Sequence, residues 1–315
     1  MSLLARPAVA AFAAKAMQRL AALANRRADG PGSTAAWQAR LPEYACATRE
    51  LTVPTAYGPA RAVLYLPADA EGTPPPPVHV NFHGGGYVMP QIELDDALCR
   101  CIAVEAGVAV LNVDYVVAPQ HPFPAPPRQA FEVVRWAAEH GGEHGWDGAR
   151  LSVGGQSAGG GLAAAVARQA LEEGGPSIAL QVLHYPPLDL ATAARDKRAA
   201  IAKPLLRPWM ADVFDSAYVP DPKQRADRLV SPAHPSDTAD LKGIAPAFVV
   251  TAEYDLLKAE GVAYADRLRT AGSLVGHHDV SGADHGYDTK DETRARAVYP
   301  LIAERVRRAF GAGAS

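Results

Sequence analysis

The feature that most constrains this chain is a regular alternation, starting near residue 78, of short uninterrupted apolar runs with segments of helical periodicity. The runs are 78–82, 108–113, 151–154, 178–184 and 247–251, with a weaker one at 276–280. Helical patterns lie near 93–105, 125–139, 158–173, 260–271 and 292–310. A strand that is apolar on both faces has to be covered on both faces. The pattern therefore predicts an α/β fold, a mostly parallel central sheet flanked by helices. Upstream, runs at 47–54 and 60–66 around Tyr57-Gly58-Pro59 predict an antiparallel start to that sheet. The 315 residues suit one large domain, and 27 glycines and 27 prolines suit a loop-rich α/β chain better than a helix bundle.

One segment breaks the rhythm. Residues 188–231 are too long for a plain crossover and contain a helical pattern at 209–218. With the N-terminal helix they are assigned to a helical cap over the sheet's C-terminal edge, where such sheets bind ligands. The expected organisation is 1–45 as the N-terminal part of the cap, 46–187 as the first part of the core, 188–231 as the cap insertion and 232–315 as the second part of the core. Residues 6–14 loosely imitate a signal peptide, but Lys15 cuts the run short. Leu3, Leu4, Ala8, Ala11, Phe12, Leu20 and Leu23 continue a helical pattern past it, which predicts an amphipathic helix and a cytoplasmic protein. A loop at 28–33 and a stiff connector of Thr73 with four prolines separate the early elements.

Net charge is −3 with no basic block, so no nucleic-acid partner is expected. No apolar stretch is long enough to span a membrane. Cys46, Cys99 and Cys101 read as reduced packing residues, because Cys99 and Cys101 diverge around a helix. No cluster has metal spacing and no glycine-rich dinucleotide fingerprint follows a strand, so no metal and no cofactor are expected.

The strongest chemical signal is Gly155-Gln156-Ser157-Ala158-Gly159, between a strand and a small-residue helix. That is the setting of a nucleophile elbow, a sharp turn that thrusts the serine into a cleft while glycines avoid clashes. His83-Gly84-Gly85-Gly86 ends the strand at 78–82 and offers free backbone N–H groups of the kind acyl transfer needs to hold an oxyanion. A serine nucleophile needs a base and an orienting acid, in the order serine, acid, histidine for this fold type. His285, in a loop after the last apolar run, is the best-placed base; His277 and His278 lie inside that run. Asp255, just after the strand at 247–251, is the best-placed acid, with Glu253 and Asp284 as alternatives. Trp209, Phe214 and Tyr218 at helical spacing read as cap packing, and His121 as a structural loop residue.

These motifs together resemble the hormone-sensitive-lipase-like (HGGG) branch of the α/β-hydrolase carboxylesterases. The resemblance runs from about residue 74 to His285. It includes Asp114-Tyr115, Ala118-Pro119, His121-Pro122-Phe123-Pro124-Ala125, Glu253-Tyr254-Asp255 with Glu260-Gly261, and His285-Gly286. It implies a Ser157–Asp255–His285 triad, oxyanion donors on the backbone of Gly85, Gly86 and Ala158, a cap, and hydrolysis of a small-molecule ester through an acyl-enzyme. It leaves acyl length and homo-oligomerisation open.

The chain departs from the family at four usually charged positions, here Gln156, Val116, Gln120 and Ala259. Their joint loss suggests one buried charge network beside the elbow replaced as a unit by neutral packing and hydrogen bonds. Deacetylase, lactonase or amidase activity on the same triad is an alternative. A non-catalytic binding protein, like the plant gibberellin receptors that resemble this family, would lack the histidine that is present here as His285. An interfacial lipase would want a large apolar lid, against which Lys197, Arg198, Lys203, Arg207 and Asp212 argue.

Overall fold

The computed structural model describes residues 3–25, 34–68 and 74–311. The loop at 28–33, and Thr73 of the connector, lie outside the described residues. The eight strands are β1 Ala47–Val53, β2 Ala60–Leu66, β3 Pro77–Phe82, β4 Ala109–Asp114, β5 Asp147–Gln156, β6 Ile178–His184, β7 Ala247–Ala252 and β8 Leu274–Val280. The helices are α1 Pro7–Asn25, α2 Thr34–Gln38, α3 Asp96–Ala106, α4 Ala125–Glu139, α5 Gly141–His144, α6 Ala158–Glu173, α7 Pro208–Tyr218, α8 Lys258–Thr270 and α9 Glu292–Gly311. The expected strands and long helices are all present; α2 and α5 are too short to register as periodicity.

The strands form one sheet in the order β1-β2-β4-β3-β5-β6-β7-β8. β2 pairs antiparallel with β1 and β4, and every other pairing is parallel. Successive strand residues serve opposite faces. Leu111 and Val113 join the core cluster that includes α4, α6 and α8 residues, while Val110 joins the cluster beneath α3 and α9. Complete burial of such a side chain stabilises the fold by roughly 1.5–3 kcal/mol. Cys99 and Cys101 are buried in that second cluster as free thiols, and Cys46 is a half-buried free thiol.

Strand order reverses at β3, which has β4 on one side and β5 on the other. The segments that leave the C-terminal ends of β3 and β5 therefore emerge side by side, Phe82 pairing with Gly155. This is the switch point at which open α/β sheets form their ligand crevice.

Helix α1 is present, but its buried stripe differs from the expected one. Ala10 and Ala14 are fully buried with Leu4, Ala13 and Met17 packed beside them, whereas Phe12 and Leu20 are 76% and 67% exposed. The reason is steric. α1 packs along α7, and alanines let the two backbones approach where a phenylalanine would hold them apart. Gln18 completes the docking by donating to Val88 O at 2.7 Å and Ala118 O at 3.0 Å. Of the three aromatics at helical spacing in α7, Tyr218 stacks on Tyr87 at 3.9 Å, but Trp209 is 46% exposed and does not pack as expected. We predict that Ala14→Leu lowers unfolding free energy by about 1–3 kcal/mol through overpacking, while Phe12→Ser changes it by under ~0.5 kcal/mol. Urea denaturation of the two variants checks this, and the reverse order would contradict the docking.

Candidate active site

Ser157 stands between β5 and α6 with φ 50° and ψ −122°, a left-handed conformation that is costly for a residue with a side chain. Its neighbours show why that turn needs glycine. A Cβ on Gly159 would lie 1.7 Å from Phe82 O, and one on Gly155 would lie 2.3 Å from the same atom. The Ser157 N–H donates to His184 O at 2.8 Å, which fixes the turn to β6.

β7 and β8 deliver the other two groups. Ser157 Oγ lies 2.9 Å from His285 Nε2, and His285 Nδ1 lies 2.8 Å from Asp255 Oδ2. Asp255 is 3% exposed, and its Oδ1 accepts from Leu257 N at 2.9 Å, which holds the carboxylate in place. Burial works against a charged His285, but the Asp255 carboxylate, by its charge and hydrogen bond, outweighs burial and holds the imidazole above its ordinary pKa. The alternative candidates lie elsewhere. Glu253 accepts from Ser281 Oγ and Gly282 N, Asp284 accepts from Leu205 N and His285 N, and His277 meets Thr251 Oγ1. None of them is hydrogen-bonded to the His285 ring.

The glycine loop borders the same space. Gly85 has φ +126° and Gly86 φ +62°. Their N–H groups, and that of Ala158 in the first turn of α6, donate to no described residue. His83 stays behind the loop, fully buried, stacked on Tyr115 at 4.4 Å, while the Tyr115 hydroxyl donates to His83 O at 2.9 Å. Gly84 is anchored by its N–H, which donates to Asp95 Oδ1 at 3.3 Å. A cavity of about 330 Å³ opens in front of Ser157 and His285, lined by Gly84, Gly85, Gly86 and by apolar side chains from α1, α7 and their neighbours.

A match to the alpha/beta hydrolase fold family model covers residues 79–289, from β3 to just past His285. The chain belongs to the α/β-hydrolase family. Among relatives of this hydrolase, "Esterase LipI" of Mycobacterium tuberculosis is 36% identical over 246 residues, 76% of this chain and 74% of the relative. "Ethyl acetate hydrolase" of Pseudomonas putida is 35% identical over 206 residues, 65% of this chain and 64% of the relative. The solved esterase of Pyrobaculum calidifontis superposes with a TM-score of 0.80 at 30% identity, covering 94% of this chain and 92% of that one.

Sequence reasoning missed what surrounds the elbow of this hydrolase. Gln156 Nε2 donates to Asp95 Oδ1 at 2.5 Å, and its Oε1 accepts from Tyr185 OH at 2.8 Å. The same Tyr185 hydroxyl, with one hydrogen to share between the two acceptors, lies 2.7 Å from Asp288 Oδ1, and Tyr299 OH donates to Asp288 Oδ2 at 2.8 Å. Two fully buried carboxyl groups therefore stand beside the elbow, one hydrogen-bonded to Gln156 directly and one bridged to it by Tyr185. The four departures do not form one network. Gln120 pairs with Gln18 of α1, the Val116 N–H donates to Gln129, and Ala259 is exposed. Asp95 has no periodicity to mark it, because it sits where a 3-10 turn, Ile92–Asp95, joins α3. Lys197 also differs from expectation. It is a buried partner of Glu260, not a solvated cap charge.

Burial pushes Asp95 up to about 7, against the hydrogen bonds from Asn81 and Gly84. A carboxyl whose folded pKa is raised adds stability that is fully present below its unfolded pKa and is lost as pH rises through about 7. Gln156→Asp places a second carboxylate on this site and removes its donor. The expected cost is about 3 kcal/mol at pH 8 and under half of that at pH 5, where the pair shares a proton. Thermal unfolding at the two pH values checks this, and a pH-independent cost would contradict it.

Proposed function

We propose that this α/β hydrolase is a serine carboxylesterase for short- to medium-chain acyl esters. The observation that carries the reading is the hydrogen-bonded relay from Ser157 through His285 to buried Asp255, facing a cavity of about 330 Å³. That volume is at the small end for ligand sites, which suits a compact ester.

In this reading His285 Nε2 takes the Ser157 proton as Oγ attacks the ester carbonyl carbon. Asp255 fixes the tautomer that leaves Nε2 free and stabilises the imidazolium that forms. The unpaired N–H groups of Gly85, Gly86 and Ala158 receive the oxyanion, and the strained elbow presents Oγ without reorganisation. Collapse of the tetrahedral intermediate expels the alcohol, protonated by His285, and leaves an acyl-enzyme on Ser157. Water, deprotonated by the same histidine, then releases the acid. Helix α1 and residues 188–231 act as the cap that limits chain length, with 46–187 and 232–315 as the catalytic core.

A chromogenic ester series from acetyl to dodecanoyl tests the reading. Turnover is expected to peak at short acyl chains, and Ser157→Ala to lower kcat by about 10⁴–10⁶. Asp255→Asn is expected to lower it by about 10⁴ with the fold retained. Undiminished turnover in Ser157→Ala would overturn the assignment.

A further inference from the structure

The cavity in front of Ser157 is not apolar throughout. Two charged side chains, Lys197 and Asp215, line it together with Ser157 and His285. Lys197 is already satisfied. Its Nζ lies 2.5 Å from Glu260 Oε2, and both side chains are under a tenth exposed, at 7% and 6%. Glu260 is fixed in turn by accepting from the backbone N–H of Leu188 at 2.8 Å and of Asp189 at 3.2 Å. Burial alone would lower the Lys197 pKa, and the carboxylates of Glu260 and then Asp215 more than reverse this; Glu260 is the one in ion-pair contact.

Asp215 feels the Lys197 charge but has no ion-pair contact of its own among the described residues. It lies on the face of α7 that also presents Met210, Ala211 and Phe214 to the cavity. Among the described residues none donates a hydrogen bond to its carboxylate, and Arg225, the other cation near it, is engaged by Ser216 Oγ at 2.8 Å and Val219 O at 3.2 Å. Asp215 is half-buried, so its carboxylate is open to the cavity as an acceptor that a ligand donor can take up.

We propose that Asp215 is the specificity residue of this cavity and that the preferred substrates are esters whose chain ends in a hydrogen-bond donor, an ammonium foremost. The inference rests on the esterase reading above. With Lys197 and Glu260 neutralising each other, ionised Asp215 leaves the cavity with one negative charge in excess. A terminal ammonium cancels that charge and supplies the missing donor. A hydroxyl supplies the donor alone, a methyl group neither, and a carboxylate adds repulsion. The charged groups facing Asp215 are Lys197 before α7, Asp212 on α7, Arg225 after it and Glu260 on α8. Burial raises Asp215 to about 7, with Glu260 and Asp212 adding to the rise and Lys197 and Arg225 opposing it. The charge that selects the ammonium is therefore present at pH 8 and lost at pH 5.5.

The test compares kcat/KM for methyl 6-aminohexanoate, 6-hydroxyhexanoate, hexanoate and monomethyl adipate, and for 4-aminobutyl and butyl butyrate, on one preparation of each enzyme. In wild type at pH 8 the amino ester is expected to exceed its plain counterpart by about tenfold or more, in the acyl or the alcohol series according to which arm Asp215 faces. Asp215→Asn is expected to remove most of that ratio. The ratio cancels any general loss of activity. It should also fall in wild type between pH 8 and pH 5.5, a readout that needs no variant. A plain-ester preference in both series, equal in wild type and Asp215→Asn, would overturn the proposal. If wild type cleaves no ester at all, the esterase reading has failed; calorimetric binding of hexylammonium against hexanol, at both pH values, then decides the subsite by itself.

Discussion

The site depends on one close approach, the end of β3 against the turn that follows β5. Phe82 O occupies the space in which side chains on both Gly155 and Gly159 would have to sit. Because β3 and β5 are neighbours in register, a turn this tight places Ser157 beside the glycine loop that follows Phe82. The left-handed backbone at Ser157 is the local cost of that arrangement, and the paired sheet around it holds the strained residue in place. Asp255 and His285 then need only to follow β7 and β8 on the same edge.

Charge inside the protein is organised around that turn. On one side of Ser157 the His285–Asp255 pair favours a histidine ready to hold a proton. Behind it, Asp95 ties Gly84 of the glycine loop to Gln156, the residue before Ser157, through a single carboxyl group. In front, the cavity is lined by Lys197, which is paired with Glu260 behind it, and by Asp215, which has no ion-pair contact among the described residues. Three carboxyl groups thus stand in three settings: Asp255 hydrogen-bonded to the His285 ring, Asp95 to the glycine loop, and Asp215 facing the cavity, where we propose it receives the ligand.

Much of this was legible in the sequence because it is local or periodic. Uninterrupted apolar runs mark the buried strands, and the Gly-x-Ser-x-Gly and His-Gly-Gly-Gly motifs mark turns that only glycine permits. Ser157, Asp255 and His285 could be singled out because each follows a strand in the expected order. What escaped depends on packing between distant segments. Asp95 looks like an ordinary polar residue at a helix start, and only the tertiary fold turns it inward. Lys197 reads as a solvated cap charge until Glu260, far along the chain, is seen against it. Phe12 and Leu20 read as the buried stripe of α1, but backbone proximity to α7 selects the alanines instead.

The most direct test of the central claim is the reaction of the enzyme with a p-nitrophenyl alkylphosphonate, followed by peptide mass mapping and by the rate of labelling against pH. The account predicts a single adduct on the peptide that contains Ser157. The labelling rate should fall on acidification through a midpoint above 6.5, the ordinary imidazole value, because His285 must be neutral to act as base. An adduct on another residue, no adduct, or a rate indifferent to pH across that range would contradict it.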